Sequence, residues 1–275
     1  MHALGKIIDP QLLMLAYRSG IFPMADSRDD PEVFWVEPRL RAILPLDGFR
    51  CSRSLARTLR RGRFEVTCNA AFTEVMTACA APRRDSEETW ISQRIAASYI
   101  ALHEEGLAHS IECWQQGETG EGAGERQLVG GLYGVGFDRV FCGESMFSLV
   151  PDASKVALAW LVAALREAGA ELLDCQFMTE HLASLGAIEI PQARYLTLLK
   201  RAQRPAPRGQ TAPRSAQSGW AGASGEGEAA AGLAEAVGAG APRSLPEGFA
   251  ALLAKAAGSS SSPGNFIAQS FTHTS

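Results

Sequence analysis

Two short strings set acids among apolar residues in a way that suggests chemistry. In Leu172-Leu173-Asp174-Cys175-Gln176, strand alternation puts Asp174 and Gln176 on one face and turns Cys175 to the other. An acid in so apolar a frame is expensive to desolvate unless it has a partner or a task, and carboxylates of this kind gather at functional sites. The string Phe141-Cys142-Gly143-Glu144-Ser145-Met146-Phe147 repeats the theme. Glu144 and Met146 share a face, and Gly143 lets another backbone or a ligand come close.

Rival chemistries draw on the same stretch of chain. A cysteine nucleophile would need Cys142 or Cys175 with His109 or His181 and an orienting acid, but lone cysteines and histidines at apolar positions mostly belong to cores. The glycines at 130, 131, 134 and 136 lie inside a strand pattern instead of at a strand-to-helix turn, so they make a poor phosphate loop. They are expected to clear space beside the strand for something bound. A zinc set of His103, His109 and Cys113 matches no common finger or ribbon spacing, and no metal is expected. The six cysteines form no CxxC pair, which points to a reducing cytoplasm.

A separate cationic signal lies in FRCSRSLARTLRRGRF. On a helix Arg53, Arg57, Arg60 and Arg61 line one side while Leu55 and Leu59 face a core. No acid interrupts the run from Arg50 to Arg63, although the whole chain carries a net charge of −4. A local guanidinium face on an acidic protein suits a phosphate backbone.

The elements that must carry these residues are legible from periodicity and caps. Asp9 opens a helix over 10–19, Ser52 one to Arg61, Ser92 one to Glu105, and Asp152 a nearly all-apolar one to Ala168. Strands are expected at 33–36, 40–44, 64–67, 110–114, 127–137, 140–149 and 172–177, with short helices at 71–80, 179–185 and 191–202. The longest uncharged apolar run, Val156 to Leu165, is half of the roughly 20 residues a membrane span needs, so no membrane is expected. Beyond residue 203 the chain is Ala, Gly, Ser and Pro, with five basic and four acidic residues. Such a composition is expected to stay disordered over 204–275, with a transient helix at 245–257. The expected organisation is therefore α+β: a small N-terminal α/β domain over 1–80, an acetyltransferase-like mixed-sheet domain over 81–203, and the tail.

In this order, LLMLAYRSGIFPM, TWIS, AHSIE, LVGGLYGV, FCGESMFS, ASKVAL, LLDCQF and HLASLGAIEIP resemble the leucyl/phenylalanyl-tRNA–protein transferase family over roughly residues 9 to 200. The resemblance implies transfer of leucine, phenylalanine or methionine from aminoacyl-tRNA to proteins with N-terminal Arg or Lys, creating a degradation signal. It implies a cytoplasmic monomer with no cofactor, because the ester is already activated. It implies that Asp174 and Gln176 handle the attacking amine, with Glu144 at the aminoacyl site. Leu132, Phe141, Met146 and Leu173 would line the side-chain pocket, and Trp90 would lie near the terminal adenosine. Met24 stands where better-known members carry a tryptophan, and the arginine face would bind tRNA. The alternatives are an acyl-CoA-dependent N-acetyltransferase and an RNA-binding module without catalysis. Against the first, the Ser148–Asp152 turn has no glycine and starts a helix with an acid, which would repel pyrophosphate.

Overall fold

The computed structural model describes residues 7–82, 89–117, 124–205, 243–259 and 261–271. Seven strands form one sheet in the order β4-β5-β6-β7-β8-β3-β9, where β3 is Leu40–Ile43, β4 Glu65–Cys68, β5 Ala108–Gln116, β6 Arg126–Phe137, β7 Val140–Ser148, β8 Leu172–Gln176 and β9 Ile188–Pro191. Every neighbouring pair is antiparallel except β7 and β8, which run parallel. The long crossover that a parallel pair requires is α5, Ala153–Ala168. A separate ribbon pairs β1 (Phe22–Met24) with β2 (Phe34–Val36). The expected division at residue 80 meets a continuous sheet: β3 and β4 come from before it and join the strands that follow it.

Helices cover both sheet faces. On one lie α1 (Pro10–Arg18), α3 (Phe72–Cys79), α4 (Gln93–Glu104) and α7 (Gln192–Ala202), around Tyr17, Tyr99, Tyr133 and Tyr195. On the other lie α2 (Arg53–Arg60), α5, α6 (Glu180–Ser184), α8 (Leu245–Ala257) and α9 (Pro263–Ser270). Caps start several of these helices where the sequence places them: Asp9, Ser52 and Ser92 each accept backbone N–H bonds from the first turn. Asp152 departs from expectation. It takes a left-handed φ of 72° without capping α5, and its carboxylate accepts from Thr58 Oγ1 and Lys155 Nζ, each at 3.3 Å.

Two sequence expectations need correction. The β6 glycines make room for the protein's own parts and not for a ligand: a side chain at Gly130 would collide with Ala153 of α5, and one at Gly134 with the Phe141 ring. The disordered tail does not hold for 243–271, where α8 and α9 fold onto the body; residues 206–242 lie outside the described residues. Leu245, Phe249, Leu252 and Ala256 share one stripe of α8 and are buried, as are Ile267 and Phe271 of the α9 region. Burying a large apolar side chain yields about 1.5–3 kcal/mol, which offsets the ordering cost that average composition had suggested would win. The missed signal lay elsewhere, in α5. A helix buried at every position from Val156 to Leu165 needs cover on its outer side as well as its sheet side, and α8 supplies it.

Candidate active site

The site grows from the point where the parallel pair comes apart. Register holds from Val140 opposite Leu172 to Cys142 opposite Asp174, after which β7 continues to Ser148 and β8 ends at Gln176 without further pairing. Gly143 stands at the opening, with the Asp174 carbonyl as its nearest neighbour. Across the gap the Gln176 amide donates from Nε2 to Glu144 Oε1 at 2.9 Å.

Asp174 is not open to the gap. It is fully buried, and its carboxylate accepts from Arg41 Nε at 2.9 Å, Arg41 Nη2 at 2.6 Å and Tyr195 OH at 2.9 Å. Oδ1 also accepts the Gln176 backbone N–H at 2.8 Å, holding Gln176 at a left-handed φ of 61°. That conformation is costly for a non-glycine residue, so the Asp174 carboxylate is what aims the Gln176 side chain at Glu144. Arg41 is almost wholly buried between the rings of Phe22 and Tyr195, with its carbon centre 4.7 and 4.5 Å from their centroids, and its Nη1 donates to the Gly20 carbonyl at 3.1 Å. Burial works against its charge, and Asp174 more than offsets this, leaving the guanidinium pKa above the ordinary arginine value. Asp174, expected to face the attacking amine, is thus taken up by a bidentate partner.

Glu144 has the opposite environment. Part of its surface remains open at the gap. Burial raises its pKa to about 7, while donors from Tyr17, Gln176 and Tyr99 pull it down. Tyr17 OH donates at 2.7 Å and Tyr99 OH lies 3.0 Å away, and the two phenols also contact each other. Each hydroxyl brings one proton, so three contacts among Tyr17, Tyr99 and the carboxylate must share two protons, or three when Glu144 is protonated. Burial also raises both tyrosine pKa values well above the ordinary value, which keeps them as donors.

Behind the gap, toward α5, lie the expected pocket residues; Met146 is thus on the other face from Glu144, against expectation, because the register of β7 on β6 shifts at Glu144. Leu132 and Met146 are cross-strand partners, Phe141 and Leu173 are partners across the parallel pair, and all four join one apolar cluster. Trp90 and Met24 belong to the opposite face: both are half-buried, Ala25 N–H bonds the Trp90 carbonyl, and Met24 pairs with Phe34 in the ribbon. Arg53, Arg57, Arg60 and Arg61 are all exposed, on or just after α2, whose Thr58 reaches the start of α5. The cysteine alternative fares poorly. Burial pushes both the Cys142 and Cys175 thiols up, and His109, lowered to about 4 by burial, bonds the Asn69 amide.

Sequence reasoning missed Arg41, Tyr17, Tyr99 and Tyr195. The tyrosines sit on three helices and look like ordinary core aromatics, and only folding brings Tyr17 and Tyr99 to one carboxylate. Arg41 did leave a trace: a strand reading Leu-Arg-Ala-Ile-Leu has a charge where one face is apolar.

Comparison with known proteins identifies the family. The family model for leucyl/phenylalanyl-tRNA protein transferase matches residues 43–200, and the model of that family's N-terminal domain matches 7–39. The leucyl/phenylalanyl-tRNA–protein transferase of Novosphingobium aromaticivorans is 67% identical over 268 residues, 98% of this chain and 97% of that one. Those of Rhizorhabdus wittichii and Zymomonas mobilis are 57% and 55% identical, covering 70% and 72% of this chain and 75% and 70% of theirs. Among solved structures, that of FemX aligns with a TM-score of 0.45 at 14% identity over 66% of each chain. Matched by both family models over residues 7–39 and 43–200 and 67% identical to one member over 98% of its length, the chain belongs to the leucyl/phenylalanyl-tRNA–protein transferase family.

Proposed function

We propose that this enzyme takes leucine, phenylalanine or methionine from aminoacyl-tRNA and joins it to the N-terminal arginine or lysine of a protein, marking it for degradation. The observation that carries this reading is the Gln176–Glu144 bridge over the strand gap, with an apolar cluster behind it. The donor side chain enters between Leu132, Phe141, Met146 and Leu173, where shape selects Leu and Phe and the half-buried Met146 adapts to either. Trp90 and Met24 flank the adenosine, and Arg53, Arg57, Arg60 and Arg61 hold the tRNA backbone. The enzyme works in the cytoplasm as a monomer.

The donor ester is already activated, so the chemical demand is an acceptor amine that is neutral and well aimed. Its ordinary pKa of about 8 leaves about one molecule in eleven neutral at pH 7. Glu144, near pH 7, lies within about one unit of that amine and can take its proton at small cost, whereas a carboxylate of ordinary pKa would be about four units too weak. Gln176 touches Glu144 and is placed to orient the amine. Asp174 is a positioning residue that acts through Gln176. Placement in the gap supplies much of the rate.

The test is transfer of labelled leucine from leucyl-tRNA to a peptide beginning with arginine, beside one beginning with glutamate. Label in the first and not the second supports the acceptor assignment. Equal labelling of both, or of neither, removes it.

A further inference from the structure

We propose that α8 and α9 form a strap that holds the arginine helix α2 in place, so that the C-terminal segment governs aminoacyl-tRNA capture and not the transfer step. This rests on the assignment of α2 to tRNA.

Helix α2 has only eight residues, far fewer than an isolated helix needs to persist. It carries no acid, and its arginines at i, i+4 and i+7 repel one another along the exposed side. Its order must come from what Leu55, Ala56 and Leu59 bury against. Part of that cover is α5. The rest is α9, which approaches so closely that any side chain at Gly264 would collide with the Leu59 carbonyl. After α9, Phe271 packs on Phe49 with 4.7 Å between ring centroids. The Arg166 guanidinium stands 5.0 Å over the Phe271 ring and donates to the carbonyls of Ser270 and Leu46. The strap's other end is fixed in the same manner, with Gly248 of α8 seated on the Ala164 carbonyl and Ala168 of α5. Glu247 closes the start of α8 by accepting the Ser244 N–H at 2.6 Å. The strap packs in the cluster on the α5 face, whereas Tyr17 and Tyr99, which bond Glu144, belong to the cluster on the opposite face, so loosening the strap is expected to leave the bridge over the gap intact.

Gly264→Val in the full chain tests the strap, since it forces α9 off α2 without removing a core side chain. Phe271→Ala, with Phe271→Tyr as the conservative rescue, loosens the same contact from the other end. Hydrogen exchange over 53–60 and 263–270 reports on the two helices, and steady-state transfer of leucine separates KM for leucyl-tRNA from kcat. The expected result is faster exchange in both segments, KM raised about tenfold as a few phosphate contacts are lost, and kcat within about twofold. Freed α9 with α2 still protected and KM unchanged overturns the proposal, as does a fall in kcat at constant KM. Faster exchange in α2 without any change in KM keeps the clamp and overturns the assignment of α2 to tRNA.

Discussion

The two faces of the sheet are built on different physics. Toward α1, α4 and α7, a buried ion pair, three tyrosines and a carboxylate near neutrality form a polar network whose members fix one another's geometry. Toward α5, contact is apolar and extends outward through α2, α8 and α9 to the arginines. A polar network tolerates no missing member, because each loss strands a buried charge or donor. An apolar layer degrades by degrees. Reaction chemistry and substrate capture should therefore fail differently when each face is injured.

The largest effect should follow Arg41→Ala, which leaves Asp174 charged, buried and without its bidentate partner. Breaking such a pair costs about 3–5 kcal/mol, to be read as a lowered urea midpoint with unchanged slope. Transfer should fall for every donor alike, because Gln176 loses its hold on φ. The double variant Arg41→Met with Asp174→Leu should regain much of the stability but not the transfer. If the double variant transfers normally, the ion pair supports the fold alone.

Glu144→Gln should come next, with transfer lowered by about 10²–10⁴, the span usual for a lost proton acceptor. The wild-type rate should rise with pH from a midpoint near 7, and the variant should keep only the later rise of the acceptor amine, near 8. Stability moves the other way. A carboxylate whose folded pKa is raised binds its proton more tightly in the native state, so folding free energy declines as pH climbs from the unfolded value toward about 7. The variant should thus gain on the wild type between pH 5 and 8 in parallel thermal melts. A wild-type rate that is flat across this range would remove Glu144 as the proton acceptor.

The faces also differ in how much of them the sequence discloses. The strands, the caps at Asp9, Ser52 and Ser92, and the exposed arginines all follow from periodicity and short-range rules. Asp174, Gln176 and Glu144 were visible as polar residues at costly positions. Their division of labour was not, because it depends on Arg41, 133 residues away in sequence, and on tyrosines from separate helices. Long-range pairing of that kind leaves no local pattern. On the apolar face the error ran the other way: averaging composition over 204–275 left α8 as only a transient helix and hid α9, both short enough to be diluted by their Gly- and Ser-rich flanks.

Substrate capture can be injured without touching the network. Replacing Arg53, Arg57 and Arg60 together with Gln should raise KM for leucyl-tRNA and flatten its salt dependence by up to about three units of slope, while turnover at saturating tRNA stays near wild type. The charges are exposed, so folding stability should change by no more than about 0.5 kcal/mol. An unchanged salt slope would assign the tRNA-binding surface to other basic residues.

The smallest effect should come from Met24→Trp, and it tests where the adenosine lies. Met24 is half-buried at the end of β1, paired with the exposed Phe34 across the ribbon and packed in the same core as Trp90. A thioether offers contact area but no flat ring, so stacking on a base should be weak at this position. An indole in its place can contribute at most the about 1–3 kcal/mol typical of one base on one aromatic ring, less whatever the ribbon loses in adapting to the larger side chain. The proposed hold of α2 on full leucyl-tRNA would dilute the gain, so its KM should fall only about twofold to fivefold. A minimal donor, leucine esterified to adenosine alone, lacks those phosphate contacts and should show the larger improvement. Trp90→Ala should weaken that same donor and leave the salt slope of full tRNA unchanged. If Met24→Trp improves neither donor, the adenosine does not rest on the ribbon, and Trp90 must hold it without a second ring.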